Sequence, residues 1–65
     1  MTVYPLYVRS FNKTLSLITT FYCSSSSEAF NKANAYIRQD NLFGVVLEDS
    51  FTGQQWEYID KWNAL

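Results

Sequence analysis

The sequence predicts an α+β domain with element order ββαββ, read as a four-stranded, largely antiparallel sheet with one helix packed on one face. Three observations carry this. Residues 3–11 and 14–23 are rich in Val, Tyr, Leu, Ile, Thr and Phe. A capping-box spacing at Ser25-Ser26-Ser27-Glu28 then opens a stretch with helical periodicity, and two further strand-like runs flank the turn signals of Ser50-Phe51-Thr52-Gly53.

The first two strands meet across Asn12-Lys13, which predicts a hairpin. A two-residue turn places Tyr4 against Phe21, Leu6 against Thr19 and Val8 against Leu17 on one face. The other face then pairs Val3 with Tyr22, Tyr7 with Ile18 and Arg9 with Ser16, with Phe11 across from Thr14. Neither face is polar. Asn-Lys is a weaker turn than Asn-Gly because lysine resists the positive φ that a two-residue turn demands, and a three-residue loop would move this pairing by one position.

The serine run stops the second strand, and a helix is expected from its end to Asp40-Asn41. Ala29, Phe30, Ala33, Tyr36 and Ile37 recur at intervals of three and four, which turns them inward and leaves Asn31, Lys32, Asn34, Arg38 and Gln39 to water. The second hairpin runs from Leu42 to Asp49 and from Gln54 to Lys61. A four-residue loop opposes Val45 to Tyr58 and Leu47 to Trp56, gathers Phe43 onto the same face, and leaves Glu48, Gln55 and Glu57 outside. Trp62 is expected to clamp the sheet edge. The element order is similar to that of small β-grasp domains, a likeness of architecture that carries no function by itself.

Composition narrows the chemistry. At 65 residues, with 18% aromatic side chains, the chain reads as a single domain, residues 1–65, whose large rings compensate for a small core. Cys23 is the single cysteine and histidine is absent, so there is no internal disulfide, no Cys/His metal site and no imidazole base for a cysteine or serine nucleophile. No cofactor is expected. The carboxylates around the second hairpin are interrupted by Phe51 and Trp56 and lack the spacing of a calcium loop. The expectation is a non-enzymatic protein. Asn12-Lys13-Thr14 fits a glycosylation sequon, but the opening Met1-Thr2-Val3-Tyr4-Pro5 has no secretory pattern, and no run is long and apolar enough to span a membrane. A cytoplasmic setting without membrane contact is therefore expected.

The formal net charge of −1 argues against a general nucleic-acid footprint. It also conceals a division. Residues 1–39 carry Arg9, Lys13, Lys32 and Arg38 against Glu28, whereas residues 40–65 carry Asp40, Glu48, Asp49, Glu57 and Asp60 against Lys61.

One helix shields only one side of a sheet, so Val3, Tyr7, Phe11, Ile18 and Tyr22 are expected to stand on an uncovered face beside Arg9. The predicted partner-binding set is therefore those six residues, with Glu48, Asp49, Glu57 and Asp60 steering the domain toward a basic groove. The partner is a larger protein or a second copy. In size and style the chain resembles small phage-encoded host-takeover or anti-defence proteins, which implies an inhibitor docking on a larger, nucleic-acid-handling protein. The alternatives are single-stranded nucleic-acid binding by Tyr7, Phe11 and Tyr22 with Arg9 and Lys13, and a structural homodimer.

Overall fold

The computed structural model describes every residue from Met1 to Leu65. The chain forms β1 (Thr2–Arg9), β2 (Leu15–Cys23), α1 (Ser26–Asp40), β3 (Val45–Glu48), β4 (Gln55–Tyr58) and β5 (Trp62–Ala64). All neighbouring strands are antiparallel, in the order β2-β1-β3-β4-β5. The expected α+β class holds, but the sheet has five strands where four were expected. The extra strand is only Trp62-Asn63-Ala64, too short to show alternation, and it turns Trp62 onto the helix side opposite Tyr58.

Local chemistry sets each element. Ser25 is the helix N-cap, its hydroxyl accepting from Glu28 N at 3.3 Å. The Glu28 carboxylate reaches back one residue beyond the usual capping box, accepting from Ser24 N at 3.1 Å. At the other end Asn41 adopts φ 54°, a left-handed C-cap that its short side chain tolerates. Ala29, Ala33 and Ile37 are buried beneath the helix, as the periodicity predicted, against Tyr4, Leu6, Phe21, Val45 and Leu47 of the sheet. The small alanines let the helix backbone approach the strands closely. Its larger rings then span the sheet: Tyr36 meets Phe21 of β2 edge-on at 5.7 Å, while Phe30 lies 4.9 Å from Trp56 and 5.1 Å from Trp62.

The second hairpin has the predicted register, with Val45 opposite Tyr58 and Leu47 opposite Trp56. Asp49 Oδ1 accepts from Phe51 N at 2.9 Å and Thr52 N at 3.2 Å, which winds the loop, and Gly53 closes it at φ 81°. Phe43 does not join the inner face. It precedes the strand and is exposed.

The first hairpin departs from expectation near its turn. Lys13 takes φ 67°, Lys13 N donates to Ser10 O at 2.9 Å and Ser10 N donates to Thr14 O at 3.0 Å, so the loop is Phe11-Asn12-Lys13 rather than Asn12-Lys13. This shifts the adjacent pairs by one: Arg9 faces Leu15, Val8 faces Ser16 and Tyr7 faces Leu17. A β-bulge between Leu6 and Tyr7 then absorbs Ile18 and restores the predicted pairs of Leu6 with Thr19, Tyr4 with Phe21 and Val3 with Tyr22. The bulge turns Ile18 toward the core, where it is partly buried.

Candidate interaction surface

The uncovered face of the sheet divides into two halves. On the β2–β1 side, the register aligns Tyr22 with Val3, Thr20 with Pro5, Leu17 with Tyr7 and Leu15 with Arg9. Residues directly opposite on one face lie within contact distance, so these side chains form a continuous strip. Leu17 and Tyr22 are 60% and 61% exposed, and Val3 and Leu15 are exposed as well. All of them are borne on paired strands.

The β3–β4 half is polar and internally satisfied. Arg9 Nε donates to Glu57 Oε2 at 2.9 Å, and Gln55 Nε2 donates to Glu48 Oε1 at 2.8 Å. Val46 lies between Tyr7 and Glu57 in the register, on the side away from the helix, yet it is fully buried. The Arg9–Glu57 bond crosses its strand and, with Tyr7, provides a cover that the helix does not. The reverse face therefore carries a small packed centre of its own.

This arrangement redistributes the sequence-predicted site. Val3, Tyr7, Arg9 and Tyr22 belong to the uncovered face, with Tyr7 and Arg9 partly buried. Ile18 is withdrawn by the bulge, and Leu17 and Leu15 take the places that the shifted register opens. Phe11 stands in the hairpin loop, fully exposed, and not on the sheet face. Leu15 and Leu17 are the candidates that sequence reading missed; the alternative three-residue loop is the reading that brings both onto this face.

The four carboxylates do not form one steering patch. Glu48 and Glu57 are bonded on the reverse face, and Asp49 is engaged with backbone amides of its loop. Asp60 sits in a cleft of about 330 Å³ beside α1, in the company of Arg38 and Lys61. Arg9 is likewise already paired, which reduces the positive charge that base stacking on this face would use.

No family model, no curated protein and no solved structure matches the chain. The surface itself therefore carries the functional argument. A second exposed apolar set, Phe11, Phe43 and Ile59, lies in the loops that follow β1, precede β3 and follow β4. Antiparallel topology brings those loops to one end of the sheet. The strip on β2–β1 differs in being continuous and borne on paired strands, which limits the ordering cost of binding.

Proposed function

We propose that the chain is a non-enzymatic protein-interaction module that docks through the uncovered face of β1 and β2. The observation that carries this reading is the outward-facing row of β1 and β2, in which Val3, Tyr22, Leu17 and Leu15 are exposed apolar side chains, with Pro5 and Thr20 between its two ends and Tyr7 beside Leu17. Such a strip supplies aromatic and aliphatic anchors on a rigid frame, and the polar bonds of Arg9 with Glu57 and Glu48 with Gln55 form its rim. No helix is long and apolar enough to cross a membrane, and the reading places the module in the cytoplasm.

The finer form of the proposal is an inhibitor that occupies a surface of a larger protein, in the style of phage host-takeover or anti-defence proteins. Size and the exposed strip support it. Steering toward a basic groove would fall to Glu48 and Asp49, which accept hydrogen bonds only from neutral groups and so keep their charge, whereas Glu57 is paired with Arg9.

Immobilised wild-type protein and the double variant Leu17→Ser/Tyr22→Ser, exposed to the same source-cell lysate, test the reading. A protein retained by the first and absent from the second supports it, provided circular dichroism shows the variant folded. Identical retention by both overturns it.

A further inference from the structure

The two edges of the sheet are unequal. β5 offers three residues next to Lys61, while β2 offers nine, Leu15–Cys23, without a charge or a proline. Natural sheets blunt an open edge with charges, prolines or brevity, and β2 uses none of these. Its Ile18 bulge interrupts the strand near the hairpin but leaves Thr19–Cys23 regular.

The hydrogen-bond phase identifies which groups stand open. Ser10 N donates to Thr14 O, and Arg9 N and Ser50 N bond with Gly44 O and Val3 O respectively. Even-numbered residues of β1 therefore bond to β2 and odd-numbered ones to β3. Beyond the bulge, Phe21 and Cys23 turn their backbone groups to β1, whereas Thr20 and Tyr22 turn theirs to the open side. Both open residues also place their side chains on the uncovered face.

We propose that two copies of the chain pair through this edge, Thr19–Cys23 of one running antiparallel to the same segment of the other about a two-fold axis at Phe21. In that register Thr20 of one copy opposes Tyr22 of the other, and each such pair exchanges both backbone hydrogen bonds. Three features select a second copy. The segment is self-complementary in backbone phase, because its open residues are symmetric about Phe21. It carries no charge, so opposing it to itself creates no like-charge contact. The pairing also joins the two exposed strips into one apolar surface that leaves the docking face of each copy open. The proposal thus goes beyond the docking reading and does not require it.

Residue-resolved amide exchange on the isolated chain, from micromolar to millimolar concentration, with sedimentation in parallel, tests it. The expected result is protection of the Thr20 and Tyr22 amides that grows with concentration in step with dimer formation, while the Phe21 and Cys23 amides stay protected throughout. Thr20→Pro removes an open donor and no internal bond, so it should hold the chain monomeric with Phe21 and Cys23 still protected. Free exchange at Thr20 and Tyr22 at every concentration overturns the proposal. So does a dimer that forms without protecting them, which would place the contact on the sheet face. Because the readout uses one protein alone, its outcome is separate from whether a larger partner docks.

Discussion

Arg9 of β1 reaches across the intervening strand β3 to bond Glu57 of β4, Nε to Oε2 at 2.9 Å, and the residue it crosses, Val46, is completely buried on the side of the sheet that no helix covers. The pair acts as a bracket as much as an ion pair. The aliphatic stem of arginine covers apolar surface while its guanidinium stays partly in water.

Glu57→Ala is therefore expected to cost about 1 kcal/mol, a modest sum because both side chains retain some solvent contact. Val46→Ala should cost more, about 2–3 kcal/mol, by removing fully buried methyl groups and leaving a cavity. Urea denaturation of the two variants checks the order. A neutral Val46→Ala would show that the reverse face has no packed centre.

Two loop positions favour glycine, so introducing it at one and removing it from the other should shift stability in opposite directions. Lys13 holds φ 67° with a full side chain, so Lys13→Gly is expected to raise stability by up to about 1 kcal/mol. Gly53 holds φ 81° with open space around its missing Cβ, and Gly53→Ala should lose about 1 kcal/mol from backbone strain alone. Thermal unfolding of both variants measures this, and a shift of the same sign in each would contradict the turn geometry.

Trp62 Nε1 donates to Asn34 Oδ1 at 2.9 Å, tying the last strand to the helix. Asn34→Ala should cost about 1 kcal/mol for the lost bond. Trp62→Ala should cost about 3 kcal/mol, since it also removes ring contacts with Phe30 and Tyr58. Equal effects in denaturant titrations would mean that the ring packing contributes little and that the fifth strand is not a fastener.

These elements differ in how far the sequence reveals them. The helix is legible because Ser25, Glu28 and the alanines signal it locally, and the second hairpin because one register alone gathers Val45, Leu47, Trp56 and Tyr58 inside and leaves Glu48, Gln55 and Glu57 outside. The first hairpin is legible at its far end and ambiguous near its turn. Lysine gives no sign that it will enter the left-handed region, and an apolar pair such as Leu17-Ile18 does not reveal which member a bulge will absorb. Helix periodicity assigned Asn34 to solvent because Trp62, its partner, arrives from a strand too short to be seen. The sequence singles out Arg9 as a binding cation and Glu57 as a steering anion, but their union depends on strand order, which no local pattern encodes. The site was thus visible as a face and only partly as a set of residues.

The affinity of a captured partner for two surface variants tests the docking reading most directly. Leu17→Ser/Tyr22→Ser removes the strand-borne strip, and Phe11→Ser/Phe43→Ser removes exposed rings from the loops at the end of the sheet. Titration calorimetry should find the first variant weaker by about a hundredfold or more and the second close to wild type, as expected when a few buried anchors dominate binding. The reverse order, with the loop variant crippled and the strand variant unaffected, would contradict the account.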